Sequence, residues 1–281
     1  MKSLKPHDIV VIGQGKVGQS LGGLLELRGH RLIKLSREYK QYLAQIAAAD
    51  IILICVNDDA IETVCQSLAN DFRAGAIVAH CSGALDSSVL VSAQQSGCLI
   101  ASCHPLNTFP NLEVSLAKFA NTDHASYLYA EGDRKALEHL LPLFEDTGFI
   151  TQEIESAAKP LYHAACVFAC NYLTSLMDMS IETVRIAKLD EKQFWKSLQP
   201  LIQSTLDNIT HGDTVAGLSG PIARGDFQTV EKHLNVLERE SKSLTKNYAS
   251  LGIRALEIAQ RKGELTEDEL SKLKEILNKS R

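Results

Sequence analysis

The chain has 281 residues, of which 45% are hydrophobic and 22% are charged, and its formal net charge at pH 7 is −5. This length is sufficient for a buried core and for one or two domains. The acidic balance offers no basic footprint for nucleic acid. No uninterrupted apolar run reaches the roughly 18 residues of a membrane span, and the first eight residues contain no apolar signal core. We therefore expect a cytoplasmic protein without nucleic-acid or membrane partners.

The seven cysteines lie mostly inside apolar segments, and none belongs to a Cys-x-x-Cys pair. We interpret them as reduced, buried thiols, because disulfides are rare in cytosolic proteins. We predict no metal site.

The first half of the chain alternates short β-branched segments with segments of helical periodicity. The predicted strands cover residues 9–12, 31–35, 50–56, 76–80, 98–102, 124–130 and 149–153. The predicted helices cover residues 16–28, 60–69, 87–95 and 134–145. Asp59 and Glu62 have the spacing of a capping box, which favours Asp59 as an N-cap. Strands that alternate with helices of this length predict crossover connections and a parallel sheet.

The second half has a different pattern, because strand signals end near residue 154. Helical periodicity predicts helices over residues 156–187, 191–210, 227–262 and 266–278, the last with Glu267 as its capping-box partner. A glycine-rich segment over residues 217–226 interrupts them, and Asp226 can cap the helix that follows. We predict a doubly wound α/β domain over residues 1–154 and an all-α domain over residues 155–281.

The loop after the first predicted strand has the sequence Gly13-Gln14-Gly15-Lys16-Val17-Gly18 and opens the first helix. In this setting the spacing is typical of a Rossmann domain that binds a dinucleotide. Gly13 permits the tight turn, Gly15 lets the backbone approach a pyrophosphate, and Gly18 lets helix and strand pack closely. The helix N-terminus adds N–H groups and the positive end of its dipole. The alternative is a structural turn in another α/β protein.

The end of the second predicted strand indicates which dinucleotide binds. An NAD site usually has Asp or Glu there, whereas this strand ends in Ser36 and Arg37, with Glu38 behind them. A hydroxyl group followed by a guanidinium fork suits a 2′-phosphate. We therefore predict NADP (NADPH), with a solvated Arg37 as the alternative.

Three further loops follow predicted strands at the carboxyl edge of the sheet, where ligands bind in open α/β folds. In the first, Val56 and Asn57 are candidates to lie near the cofactor. In the second, Ser82 and Gly83 are candidates to contact a substrate carboxylate or carbonyl, or else form a simple turn. In the third, Pro105 restricts His104 to an extended conformation. We predict that His104 and Pro105 shape the substrate pocket.

The long predicted helix over residues 156–187 carries a polar stripe on an apolar background. At about 100° per residue, His163, Asn171, Thr174 and Asp178 share one side, and this stripe either faces water or lines a cleft. Lys159 lies within about 40° of His163 by the same geometry. Because Pro160 belongs in a first helical turn, Lys159 can be a cap residue.

Several motifs occur together and in order over nearly the whole chain. Besides the glycine loop, they are His80-Cys-Ser-Gly-Ala84, 102–109 (SCHPLNTF), 159–171 (KPLYHAACVFACN) and 219–226 (SGPIARGD). The chain resembles the Rossmann-like oxidoreductases with a C-terminal DUF2520 domain. That family is similar in layout to the β-hydroxyacid dehydrogenases, ketopantoate reductases and pyrroline-5-carboxylate reductases. The resemblance implies a helical domain like the C-terminal domain of 6-phosphogluconate dehydrogenase and NADPH-dependent reduction of 2-dehydropantoate in pantothenate synthesis. The apolar helical half of the chain favours a homodimer.

These observations lead to a mechanistic hypothesis of hydride transfer to a 2-oxo acid. His163 is the first candidate for the proton donor, because its ordinary pKa lies near working pH, and Lys159 is the second. Asn171 would orient the substrate, and Arg224 would hold its carboxylate as a bidentate fork. In the β-hydroxyacid dehydrogenases, Lys and Asn usually stand four residues apart, whereas Asn171 stands eight after His163. Two alternatives remain, a reductase of another hydroxy acid or an imine, and a non-catalytic NADP-binding protein.

Overall fold

The computed structural model describes residues 5–120 and 125–281. The chain divides into two compact units, residues 1–169 and 170–281. The boundary predicted from the sequence lies at residue 154, and the segment just after it contains Lys159, whose buried side chain donates to the Ser82 carbonyl oxygen of the first unit.

A seven-stranded sheet forms the centre of the first unit, with the strand order β2-β1-β3-β4-β5-β6-β7. The strands are β1 (Asp8–Ile12), β2 (Arg31–Leu35), β3 (Ile51–Ile54), β4 (Ile77–His80), β5 (Leu99–Leu106), β6 (Ser126–Gly132) and β7 (Phe149–Glu153). Strands β1 to β5 are parallel, β6 runs antiparallel to β5, and β7 runs parallel to β6. Because β1 lies between β2 and β3, the chain changes direction across the sheet at β1, where such folds bind ligands.

The helices of the first unit cover both faces of this sheet. They are α1 (Lys16–Leu27), α2 (Leu43–Ala48), α3 (Asp58–Leu68), α4 (Val91–Gln95), α5 (Leu112–Ala120), α6 (Arg134–Asp146) and α7 (Lys159–Cys166). Strand β3 shows why two covered faces are needed, since all four of its residues are buried. Ile51 and Leu53 pack in one core, and Ile52 and Ile54 pack in the other, as the alternation of side chains along a strand requires.

The second unit is helical. Its helices are α8 (Tyr172–Ile186), α9 (Glu191–His211), α10 (Thr214–Gly217), α11 (Phe227–Glu240), α12 (Lys242–Lys262) and α13 (Glu267–Lys279). Its core includes Val230 and Leu234 of α11, Leu256 of α12, and Leu273 and Leu277 of α13. Helix α9 has no buried residue in the unit as described.

The predicted fold class is confirmed, and the main corrections concern where elements begin and end. Strand β5 continues to Leu106, four residues beyond its predicted end, because its second half pairs with β6. The described residues of the stretch after it contain α5, which the sequence did not predict. The predicted strand start at His124 lies outside the described residues, and β6 begins at Ser126.

Capping explains the other differences. Asn57, rather than Asp59, is the N-cap residue of α3. The predicted helix over residues 227–262 is two helices, because Ser241 adopts an extended conformation (φ −156°, ψ 104°) and its hydroxyl accepts from the Leu244 N–H. Thr266 caps α13, and its capping-box partner is Glu269 rather than Glu267. Asp226 caps α11 as predicted, by accepting from the Thr229 N–H.

The long predicted helix is one continuous helical stretch of mixed geometry. A 3-10 turn (Ser156–Ala158) leads into α7, and a π-helical segment (Val167–Asn171) connects α7 to α8. Because the π-helical segment departs from 100° per residue, the predicted shared side of His163 and Asn171 no longer follows. By length and composition alone, Ser156–Ile186 could cross a membrane, with a mean hydropathy of 1.3 in its most apolar window. A search for uninterrupted apolar runs does not detect this segment, because polar residues interrupt it.

Candidate active site

The glycine loop after β1 is as tight as predicted. Gly13 has φ +106°, and a Cβ atom there would lie 2.6 Å from the Cys55 carbonyl carbon and 2.9 Å from the Val56 nitrogen. A Cβ atom on Gly18 would collide with the Gly13 carbonyl group, whereas one on Gly15 would meet nothing within 4 Å. Gly13 and Gly18 are therefore required by packing, and Gly15 faces open space.

The remaining loop residues lie at the start of α1. The Gln14 side-chain amide donates to the Val11 carbonyl oxygen at 3.3 Å, and the Gln19 amide donates to the Gln14 carbonyl oxygen at 2.8 Å. Lys16 and Val17 form the first turn of the helix, with Lys16 exposed. These hydrogen bonds stabilise the loop and leave the space next to Gly15 open.

The end of β2 is attached directly to this loop. The Gly13 N–H donates to the Leu35 carbonyl oxygen at 2.9 Å. Ser36 and Arg37 follow immediately, and both are exposed. The two residues predicted to recognise a 2′-phosphate therefore continue from the strand end that contacts the glycine loop.

The loops after β3 and β4 meet next to the glycine loop. Cys55 and Cys81, which follow these strands, have their Sγ atoms 3.6 Å apart, and both are free thiols. The contact with Cys81 and burial raise the pKa of the Cys55 thiol well above its ordinary value. Val56 is half-buried and Asn57 is exposed.

The prediction of buried thiols is wrong for Cys170, which is exposed.

His80 anchors the loop after β4. Its Nδ1 accepts from the Ser82 N–H at 3.1 Å, so its Nε2 carries the proton and donates to the Asp86 carbonyl oxygen at 3.0 Å. Burial lowers the pKa of His80 to about 4. His80 is thus a neutral, fully hydrogen-bonded histidine with a structural role.

The Ser82 hydroxyl is engaged within its own loop. It donates to the Asp58 carboxylate at 2.8 Å and accepts from the N–H groups of Ala84 (3.1 Å) and Leu85 (3.0 Å). A hydroxyl group has one donor and two acceptor positions, so this set is complete. The geometry therefore matches the simple-turn alternative for Ser82, and its substrate role gains no support.

Lys159 lies at the start of α7 and is 1% exposed. Its Nζ donates to the Ser82 carbonyl oxygen at 3.0 Å and to the Ser102 hydroxyl, and it lies 3.8 Å from a Glu131 carboxylate oxygen. Burial lowers the pKa of Lys159, and the Glu131 charge opposes this shift. Lys159 therefore connects α7 to the loop after β4 and to residues within β5 and β6.

The Glu131 carboxylate completes this network. It is 3% exposed and accepts from the N–H (2.7 Å) and hydroxyl (2.8 Å) of Ser87 and from the Ser156 hydroxyl (2.6 Å). This buried ion pair, with its additional hydrogen bonds, holds the start of α7 next to β6. These contacts attach the start of α7 to the sheet, and the role of Lys159 as the second candidate for the proton donor stays a prediction.

One helical turn further along α7, two imidazole rings meet over Gly83. A Cβ atom on this buried glycine would lie 2.6 Å from His163 Nδ1 and 2.8 Å from His104 Nε2. The centroids of the two rings are 6.0 Å apart. The Nδ1 atom of His163 is buried and has no hydrogen-bond partner among the described residues. We call Gly83, His104 and His163 the imidazole corner.

His104 reaches this corner from within β5 rather than from beyond a strand end. It pairs in register with Tyr129 of β6, and its Nδ1 lies 2.8 Å from the Tyr162 hydroxyl. The buried Pro105 follows it. Since β4 pairs with β5 only as far as Ser102, a residue without an N–H group is tolerated there.

Two predicted site residues belong to the second unit. Asn171 lies at the N-terminus of α8 and is exposed, as are Thr174 and Asp178. Arg224 is exposed in the turn before α11. Their roles toward a substrate stay predictions.

Three polar residues of the site were not among the predicted site residues, namely His80, Glu131 and Tyr162. Tyr162 could have been found from its position beside His163 and three residues after Lys159, on the helix already selected. Glu131 could have been noticed as an acidic residue ending an apolar strand. His80 stood in a recognised motif but had no assigned role.

Comparisons with known proteins agree with this architecture. Residues 126–255 match the domain of unknown function DUF2520, and residues 38–105 match the Rossmann-like domain. The chain therefore combines a Rossmann-like domain with a DUF2520 domain, as the motifs predicted. The DUF2520 match begins within the sheet, at β6. No curated protein matches the chain significantly in sequence.

Solved structures share the fold. Protein TM1727 of Thermotoga maritima is 24% identical over 91% of this chain and 100% of its own, with a TM-score of 0.69. A Bacteroides fragilis protein named as a candidate NADP oxidoreductase is 19% identical over 91% and 98%, with a TM-score of 0.70. The pyrroline carboxylate reductase of Plasmodium falciparum, solved with NADP bound, is 13% identical over 96% and 98%, with a TM-score of 0.55.

Proposed function

We propose that this protein is an NADPH-dependent oxidoreductase that reduces a small 2-oxo acid, with 2-dehydropantoate (ketopantoate) as the first candidate. The observation that supports this proposal best is that the glycine loop and the imidazole corner lie along one carboxyl edge of the sheet. The thiols of Cys55 and Cys81, 3.6 Å apart, connect the loop after β3, which contacts Gly13, to the loop that carries Gly83. The glycine loop and the imidazole corner are thus neighbours at one edge of the sheet.

The described residues fit a dinucleotide. The open space over Gly15 and the N-terminus of α1 suit a pyrophosphate, and the exposed Ser36 and Arg37 suit a 2′-phosphate. When bound, the reduced nicotinamide supplies a hydride.

The residues of the chain must then bind the substrate, orient it and supply a proton. His163 is the proposed proton donor, because its ring lies in the imidazole corner and histidine is the side chain that most often acts as a general acid. His104 lies next to the same glycine, Gly83, as His163 does. The roles of Arg224, to hold the substrate carboxylate, and of Asn171, to orient the substrate, stay predictions from the sequence. Lys159 holds the start of α7 in place.

The first experiment measures oxidation of NADPH and of NADH with and without ketopantoate. We expect turnover that prefers NADPH. Arg37→Ala should reduce this preference, whereas Arg28→Ala, another exposed arginine of the same unit, should leave it unchanged. Equal use of both cofactors by the unaltered protein would contradict the Arg37 assignment.

The proton-donor assignment has its own test. We expect His163→Ala to lower turnover by about 10²–10⁴-fold, the range typical of general acids. His139→Ala, which alters an exposed histidine of α6, is the matched control. A loss of less than about tenfold would remove His163 from this role.

Two alternatives are separated by the same assays. Because a pyrroline carboxylate reductase shares the fold, cyclic imines and other oxo acids form the second substrate set. Turnover with an imine but not with ketopantoate would retain the reductase and change its substrate. Tight NADPH binding without turnover of any member would favour a non-catalytic NADP-binding protein.

We also propose that the protein is a homodimer through α8 and α9. Helix α9 has no buried residue, and its Leu201 is 63% exposed. An apolar cavity of about 580 Å³ lies in the same unit, lined by residues of α8, α9, α11 and α12. A second copy suits this surface better than a membrane, because α9 carries charged residues such as Lys192, Lys196 and Asp207.

Sedimentation equilibrium tests the homodimer. We expect a dimer that Leu201→Glu dissociates, while Leu27→Glu, at an equally exposed position of the first unit, leaves it intact. A monomer in solution that sediments with lipid vesicles would support the membrane alternative and contradict the dimer.

A further inference from the structure

The two nitrogens of His104 have different surroundings. Nδ1 lies 2.8 Å from the Tyr162 hydroxyl oxygen. Nε2 points to the imidazole corner, where it would lie 2.8 Å from a Cβ atom on Gly83. The nitrogen that carries the proton therefore determines whether His104 presents a donor or an acceptor to the corner.

The hydrogen-bonding capacity of Tyr162 favours one of the two forms. The phenol has a single proton and two neighbours, His104 Nδ1 and the side chain of Cys166. A thiol sulfur is a weak acceptor, whereas an imidazole nitrogen without a proton is a strong acceptor. The better arrangement is therefore phenol O–H to His104 Nδ1. A neutral His104 then carries its proton on Nε2.

The charges around His104 favour this neutral ring. Burial, the positive charge of Lys159 and the neighbouring His163 lower the pKa of His104 to about 4, and only the Asp58 carboxylate opposes the shift. Tyr162 from α7 also faces the ring. Burial raises the pKa of Tyr162 above its ordinary value, so the phenol keeps its proton at neutral pH.

We propose that Tyr162 holds His104 as the Nε2–H tautomer, and that this N–H is a neutral hydrogen-bond donor for the carbonyl oxygen of the substrate in the imidazole corner. Tyr162 is then a positioning residue, and His104 is a catalytic residue. The catalytic part rests on the proposed reductase function, whereas the tautomer does not.

This arrangement separates two tasks in the corner. His163 supplies the proton, and His104 directs an N–H group at the oxygen that becomes negative as hydride arrives. A neutral donor is suitable because it stabilises developing charge without carrying a titrating proton of its own. Such a donor keeps its state over the whole neutral pH range.

Nitrogen NMR of the protein labelled with ¹⁵N-histidine tests the tautomer without any reaction. His104→Gln assigns the signals of His104 by their disappearance. We expect the Nε2–H pattern, unchanged between about pH 6 and 8, since the ring has a pKa of about 4. In Tyr162→Phe we expect loss of this single tautomer, and in Tyr127→Phe, which alters an exposed tyrosine of β6, we expect none.

Three results would overturn the proposal: an Nδ1–H tautomer in the unaltered protein, titration of His104 near neutral pH, or an unchanged tautomer in Tyr162→Phe. Circular dichroism of each variant establishes that it is folded. Kinetics add a second arm, in which Tyr162→Phe lowers kcat about tenfold without changing the affinity for NADPH.

The two arms fail independently. A protein with the expected tautomer that reduces no substrate retains the tautomer and loses the reductase. An active reductase with the Nδ1–H form retains the proposed function and loses this inference.

Discussion

Two residues of α7 that lie one turn apart, Lys159 and His163, differ in how completely their polar groups are satisfied. At its start, Lys159 is buried with partners on three sides, the Ser82 carbonyl, the Ser102 hydroxyl and the Glu131 carboxylate. One turn later, the Nδ1 atom of His163 is buried without a partner among the described residues. The same helix therefore carries a lysine with three polar neighbours and a histidine nitrogen with none among the described residues.

This difference separates structural residues from functional ones. Buried polar groups in folded proteins almost always have partners, so an exception requires an explanation. At Lys159 the fold supplies two hydrogen bonds and an ion pair at 3.8 Å. At His163 a ligand can supply the missing partner, which is why we place the chemistry there.

The largest expected effect tests the buried pair of Lys159 and Glu131. Lys159→Met should lower the free energy of unfolding by about 3–5 kcal/mol, because it leaves the buried Glu131 carboxylate without its cation. Urea denaturation measures this, with Lys135→Met on the exposed side of α6 as the control. The double variant with Glu131→Gln should recover part of the loss. Unchanged stability combined with lost turnover would instead make Lys159 the proton donor and end the contrast.

The second prediction sharpens the contrast with a histidine whose nitrogens are both satisfied. His80 has a pKa of about 4 in the folded protein, compared with 6.5 ordinarily. Between these values the unfolded chain binds more protons than the folded one, so the free energy of unfolding falls as pH decreases from about 6.5 to about 4. The contribution of His80 is about 3 kcal/mol, and His104 adds a shift of the same direction.

Urea titrations at pH 7 and at about pH 4.5 measure this loss. His80→Gln should reduce the difference between the two pH values, while His139→Gln should not. An equal pH dependence in His80→Gln would mean that His80 is not held neutral by the fold.

The third prediction concerns the imidazole corner. Gly83→Ala should lower kcat/KM by about a hundredfold, because the added methyl group displaces both imidazole rings and small misplacements are costly in catalysis. The affinity for NADPH should stay the same. Gly22→Ala is the control, since its methyl group would approach only the flexible side chain of Lys34. Full activity of Gly83→Ala would show that the reaction does not use this corner.

Much of the fold was predictable because its signals are local. The glycine loop, the β-branched strands and their alternation with helices defined the α/β unit, and Asp226 was found as a cap. The extension of β5 was not predictable in this way, since it depends on pairing with β6, a distant segment. The break at Ser241 was missed because one serine hydroxyl competes with an otherwise uninterrupted helical pattern.

The site was predictable at the level of loops and less so at the level of side chains. His104 and His163 were selected and do meet over Gly83. Ser82 was selected as a donor, but its hydroxyl is consumed by Asp58 and by the turn itself. The contacts of Lys159 could not be predicted from the sequence, because its partners come from the loop after β4 and from β5 and β6, and only folding brings them together.

Gly13 and Gly83 point to different prospects for redesign. The atoms that exclude a side chain at Gly13 belong to the main chain of residues 55 and 56, so no compensating substitution elsewhere can make room there. At Gly83 the obstructing atoms belong to two side chains, which can be exchanged. A library that varies residues 83, 104 and 163 together could therefore explore new substrates while the dinucleotide-binding loop stays intact.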